Sequence, residues 1–228
     1  MSQEEIVLDQ HDLTTALSHV LWIAGSLWAG KSTIGHTIAR IYVFLDYHFD
    51  PMERNHILRR LAQGDACIAA FLKMSLDQRW LERPLEVMVQ ETIESWTKRF
   101  GLVVEDLLAM SRDPWIVAEG IFFPACLAPY LSSPCQAIWP VPSVPFTERV
   151  RRQRHVGGYR GTSDPERALR NLIDRDCRLA RYVKQQAEER HLPYYEVHES
   201  RSLDKMTALV EKHFEPYIVE RFDQMQHL

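Results

Sequence analysis

Apolar residues along this chain gather in five short runs separated by longer amphipathic stretches. The runs "HVLWIAG", "RIYVFLD", "DPWIVAEG", "QAIWPVP" and "LPYYEVH" are brief, rich in β-branched and aromatic side chains, and bounded by Gly, Pro or polar residues. That is the pattern of strands buried on both faces. Between them the period lengthens to that of a helix. Ile34, Thr37, Ile38 and Ile41 share one helical face, and Val89, Ile93, Trp96 and Phe100 form a second stripe within a helical tract over residues 53–110, which makes Trp96 a core residue. Leu169, Leu172, Ile173, Ala180 and Val183 form a third, in a helix expected to open with Ser163 and Glu166 as a capping box and Pro165 in its first turn. "FPACLAPYL" predicts a short helix, and Leu203, Met206, Leu209, Val210 and Phe214 a last one.

Strands alternating with helices predict a parallel sheet covered on both faces, with ligands bound outside the carboxyl ends of its strands. The second run reads as a strand ending at Asp46 and the third as one ending at Glu119, so these two carboxylates and the loop after the first run should meet on one edge. No internal repeat or low-complexity tract divides the chain. Its 228 residues, 46% hydrophobic, fit one domain with an elaborated insert.

A net charge of −4 gives no global attraction to nucleic acid or to an anionic membrane. Cys67, Cys126, Cys135 and Cys177 are widely spaced, without metal-ligand spacing, and are expected to be reduced thiols. The opening "MSQEEIVLDQHDL" is acidic and lacks the basic and apolar regions of a signal peptide, and no apolar run approaches a membrane span. A cytoplasmic protein is therefore expected.

The loop after the first run carries the chemistry. "GSLWAGKS" fits G-x-x-x-x-G-K-[ST], with Gly25, Gly30, Lys31 and Ser32 in register between a strand and a helix. The glycines let successive N–H groups converge on phosphate oxygens, Lys31 would reach the β- and γ-phosphates, and Ser32 would offer a hydroxyl to Mg²⁺. The phosphates would thus lie among Gly25, Ser26, Leu27, Trp28, Ala29, Gly30, Lys31, Ser32 and Thr33, at a helix N-terminus.

With this loop, the Asp46 strand, "VAEG" at 117–120 and the Arg-rich run at 149–154, the chain resembles the small-molecule P-loop kinases, which include nucleoside, nucleotide and related metabolite kinases. The resemblance spans most of the chain outside roughly residues 51–110. It implies a three-layer fold on a five-stranded parallel sheet of order 2-3-1-4-5, with ATP as donor and Mg²⁺ as metal. It also implies that Glu119 holds the Mg²⁺ with Ser32, that Asp46 orients or deprotonates the acceptor, and that a lid over about 147–163 brings Arg151 and Arg154 to the triphosphate. Gly157, Gly158 and Gly161 would give that lid hinge freedom. For Asp46 and Glu119 a cap on a loop or helix is the plain alternative, and for the arginines a solvated helix face or an RNA-binding patch. In "VHESRSLD" the resemblance puts His198, Ser200 and Arg201 against the adenine, although Ser200 or Ser202 could simply cap the last helix.

One residue departs from the pattern. Many nucleotide kinases carry Gly where this chain has Trp28, which implies either a special acceptor pocket or, as the expectation here, packing of the loop against the insert. The N-K-x-D motif of GTPases and L-S-G-G-Q of transporter ATPases are absent. Within the insert Tyr47, His48, Asp50, Arg54, His56, Arg79, Trp80 and Arg83 are acceptor-side candidates: arginines suit an anionic acceptor, and a carboxylate base suits an alcohol. The expectation is transfer of the ATP γ-phosphoryl group to a small molecule. The alternative is a nucleotide-binding ATPase or switch acting on a protein or RNA partner. Nucleic acid and membrane are not expected partners of the enzyme, and a homodimer is left open.

Overall fold

Five parallel strands form one sheet of order β2-β3-β1-β4-β5 in the computed structural model, which describes residues 10–154, 156–200 and 202–226. They are β1 (Val20–Ile23), β2 (Leu45–His48), β3 (Ile116–Glu119), β4 (Ala137–Pro142) and β5 (Tyr194–Val197). Every residue of β1, β3 and β4 is buried, as strands sandwiched between helices must be. The helices are α1 (Gln10–Ala16), α2 (Lys31–Tyr42), α3 (Glu53–Ala62), α4 (Ala66–Lys73), α5 (Leu85–Ala109), α6 (Pro124–Leu127), α7 (Val144–Gln153), α8 (Pro165–Glu189) and α9 (Leu203–Gln226).

Side chains alternate between faces along each strand, and the two faces bury different helices. Leu21, Ile23, Val117 and Ile138 meet Ile34 and Ile38 of α2 and Met206, Val210 and Phe214 of α9. On the other face Val20, Trp22, Ala118 and Trp139 meet Phe100 and Val103 of α5 and Leu179 and Val183 of α8. Trp22 packs edge-on against Phe122 at 5.5 Å. Each such aliphatic or Phe side chain contributes about 1.5–3 kcal/mol of transfer free energy. The expected strand order and three-layer architecture are those observed.

Two boundaries differ from the sequence reading. The run "RIYVFLD" is not one strand: α2 continues through Tyr42, and Val43, left-handed at φ 57°, closes it with its N–H on Ala39 O. Helix propagation along the Ile34–Ile38 face wins over the β propensity of Ile41, Tyr42 and Val43, and Tyr42 then stacks on Phe44 at 5.5 Å. The strand starts at Leu45, so its carboxyl end is His48 rather than Asp46. The second shift is at α8. Its cap is Asp164, which accepts the Arg167 N–H at 3.0 Å, while the Ser163 N–H donates to Asp77. An aspartate is as good a cap as a serine.

Candidate functional site

Beyond Ile23 the β1 chain leaves the sheet and turns into the 25–30 loop. Gly25 stands at φ 104°, and a Cβ there would collide with the Pro140 carbonyl of β4. That carbonyl accepts the Ser26 N–H at 3.3 Å, which fixes the start of the turn. Gly30, at φ 78°, is the cap of α2. The helix's first internal bond is Ile34 N–H to Gly30 O at 3.1 Å. The amides of Lys31, Ser32 and Thr33 thus have no acceptor within the helix, and they lie at the positive end of its dipole.

Lys31 is buried at this point, and its ammonium donates to Ser26 O at 2.6 Å. Burial lowers its pKa, while the nearby charges of Glu119 and Asp50 push it up. The Ser26 hydroxyl is buried with no hydrogen-bond partner. Ser32 and Thr33 are exposed, and Leu27 leans on the core. Ala29 is buried in the α2–α9 core, and α9 closes over Gly30 through Leu203 and Met206.

Trp28 adopts the left-handed conformation, φ 69°, that glycine fills most easily. Its indole N–H donates to Asp176 Oδ2 of α8 at 2.7 Å, and the Arg151 and Arg154 guanidinium carbons stand 5.0 and 6.0 Å from its ring centre. These contacts are with α8, α7 and the residue that ends α7, not with the insert on which packing was expected. Buried Asp176 also takes two N–H bonds from Arg175, at 3.0 and 2.7 Å.

Among the arginines of α7 and its end the environment divides the set. Arg149 pairs with Glu199 at 3.0 Å and Arg152 with Glu148 at 3.1 Å, both on the surface. Arg151 is buried, its pKa lowered by that burial, and its Nε makes no hydrogen bond although Asp176 lies 3.8 Å away. Arg154 is exposed at the end of α7. Two of the glycines after it pack closely: a Cβ at Gly158 or Gly161 would come within 3.2 or 2.8 Å of Leu76 of the insert. Tyr159, between them, is buried with Leu81, Leu169 and Leu172.

Glu119 is buried at the end of β3, level with Ile23 of β1 and His48 of β2. Gly35 lets α2 pass directly over it, since a Cβ there would already touch the Glu119 Cβ at 3.4 Å. Glu119 Oε1 is 2.9 Å from His48 Nδ1, and His48 Nε2 is 3.0 Å from Asp46 Oδ2. Asp46 is also held by His36 Nδ1 at 2.9 Å. The bond from His36, with the one from His48, outweighs partial burial and depresses the Asp46 pKa. Burial opposes charge on His48, but its bonds to Glu119 and Asp46 outweigh this and raise its pKa. Asp46 is thus set back from the strand end and engaged, whereas Asp50, exposed in the turn after β2, is near enough to Lys31 to perturb it.

The insert uses most of the other candidates internally. Asp106 of α5 accepts from Tyr47 (2.8 Å) and Arg59 (2.6 Å) and bonds His56 at 2.7 Å. Arg79 donates to Leu72 O at 3.0 Å and, like Arg83, lies on Phe71; Trp80 packs beneath Arg175. Arg54 is exposed. Sequence reasoning missed Arg99, which is buried, donates to His56 Nδ1 at 2.9 Å and to Phe49 O, and lies 3.5 Å over the Phe49 ring. A charged residue three positions beyond Trp96, in register with the apolar stripe, is the signal that could have found it.

After β5, His198 is 3.3 Å from Glu196, and Ser202 Oγ accepts the Lys205 N–H at 3.4 Å as a helix cap. Arg201 lies outside the described residues. Among those residues no helix is long and apolar enough to cross a membrane. No protein-family model matches the chain, and the comparison with curated proteins gives no match.

Proposed function

We propose that the chain is an ATP- and Mg²⁺-dependent phosphotransferase that moves the γ-phosphoryl group to a small-molecule acceptor. The observation that carries this reading is the convergence on Lys31: a buried ammonium at a helix N-terminus that feels the charges of Glu119 and Asp50. A triphosphate would replace the Ser26 carbonyl as its partner and take up the unpaired amides of the first α2 turn.

Ser32 and Glu119 offer hard oxygen ligands, which suit Mg²⁺ completed by water and phosphate oxygens. Bound there, the ion would supply neutralisation of charge on the β- and γ-phosphates. His48 orients the Glu119 carboxylate through one oxygen. Arg151 and Arg154, coupled to the loop through Trp28, would offset charge on the transferred group. Asp46, engaged by two histidines, is poorly suited to receive a proton, and Asp50 takes the acceptor-side role. Its carboxylate would accept the proton of an attacking hydroxyl. A cytoplasmic enzyme with ATP at hand and four free thiols is consistent with this.

The test is ADP formation with Mg²⁺ over a panel of nucleosides, their monophosphates, sugars and aminoglycosides. Stimulation by one compound, lost in Lys31→Ala, is expected. ADP release that no metabolite stimulates would instead favour an ATPase directed at a macromolecular partner. Leu58, Leu61 and Leu72, exposed on the insert, are the feature that favours that alternative.

A further inference from the structure

Beside Glu119 lies a cluster to which the proposed transfer gives only one task, the orientation of Glu119 by His48 Nδ1. His36 on α2 and His48 on β2 approach the same carboxylate oxygen, Asp46 Oδ2, at 2.9 and 3.0 Å, and one ligand atom from each of the three residues lies within 4.8 Å of the others. His48 is the telling member. Its Nδ1 faces Glu119 Oε1 at 2.9 Å, so a neutral ring donating there turns the lone pair of Nε2 toward Asp46. Two electron-rich atoms 3.0 Å apart require a positive charge between them, and either a proton or a metal ion can supply it.

We propose that His36 Nδ1, Asp46 and His48 Nε2 form a binding site for a divalent ion of the Zn²⁺ class, with its remaining coordination position open to solvent. Two imidazoles and one carboxylate are a donor set that selects late first-row ions over Mg²⁺. Ligand atoms around a tetrahedral zinc are about 3.3 Å apart, so the two N–O contacts to Asp46 need to open by a few tenths of an ångström, while the two histidine nitrogens, within 4.8 Å of each other, need to come to that same spacing. Glu119 supplies the outer carboxylate that fixes the tautomer and orientation of a metal-binding histidine. His36, with its side chain 58% exposed, leaves an entry path. The ion would tie the helix that begins with Lys31 to the edge strand β2, independently of any nucleotide.

Zinc chloride titrated into the full chain, previously stripped with EDTA and followed by calorimetry, tests this directly. Wild type should take up one Zn²⁺ at this site, and His36→Ala and His48→Ala should each weaken it by about tenfold or more. Cys67→Ser should leave it unchanged. Co²⁺ in place of zinc should give visible d–d bands without a thiolate charge-transfer band. His36→Gln, on an exposed face, keeps the test valid if a β2 variant fails to fold. Absence of zinc uptake by wild type, uptake unaltered in the His36 variants, or a thiolate signature with Co²⁺ would each overturn the assignment. None of these results bears on the phosphotransferase reading, which is read as ADP formation.

Discussion

Replacing Trp28 with glycine separates backbone preference from side-chain anchoring. A left-handed backbone at a bulky residue costs about 1–2 kcal/mol, and glycine would relieve it. Against this stand a hydrogen bond to a charged acceptor, about 1.5–3 kcal/mol, one stacked guanidinium, about 0.5–1 kcal/mol, and the greater freedom of glycine in the unfolded chain, about 0.5–1 kcal/mol. The bond from the Trp28 indole N–H to Asp176 Oδ2, at 2.7 Å, is well formed, and Asp176 is buried, so its loss should be felt in full. The balance is a net destabilisation of about 2 kcal/mol, which for a chain of this size lowers the melting temperature by about 4–8 °C. Thermal melts followed by circular dichroism measure it, with Trp28→Phe retaining the ring and losing only the N–H. A Trp28→Gly protein that melts at or above the wild-type temperature would refute the anchoring role of Asp176.

Three further outcomes follow from the geometry. Asp50→Asn should slow the chemical step by about 10²–10⁴-fold, the usual range for loss of a general base, while Asp46→Asn should slow it by about tenfold or less; single-turnover assays at saturating ATP distinguish them, and the reverse order would return the base role to Asp46. Glu119→Gln should lose Mg²⁺-dependent turnover more than nucleotide affinity, as read from activity across a magnesium titration. Asp106 is partly buried, which alone would raise its pKa, but bonds from His56, Tyr47 and Arg59 outweigh this and lower it. Its stabilisation is therefore full above the unfolded value near 3.8 and lost as pH falls through the lower folded value. The gap in urea midpoint between wild type and Asp106→Asn should be wide at pH 7 and shrink toward pH 2, and a gap independent of pH would contradict the network.

Much of this architecture was legible because the physics is local. The strands β1, β3, β4 and β5 follow from buried apolar runs, and the 25–32 loop from two glycines at positive φ, of which Gly25 also passes too close to Pro140 for a Cβ. What was not legible depends on partners far along the chain. The end of α2 is decided by packing that overrides the β-branched residues of "RIYVFLD", and this moves Asp46 away from the strand end and puts His48 beside Glu119. Trp28 gave no hint that its partners would be Asp176, 148 residues later, and Arg151 of α7. That Gly158 and Gly161 pack against Leu76 was not legible either, because Leu76 lies in an insert whose path no periodicity reveals.

The central claim is that the loop between Gly25 and Ser32 binds the phosphates of ATP with Lys31 as its cation. Isothermal calorimetry of MgATP with wild type and Lys31→Ala tests it most directly. Saturable heat with wild type, strongly reduced in the variant while its melting curve remains cooperative, is the predicted result. No heat with wild type, or equal binding by the two proteins, would contradict it.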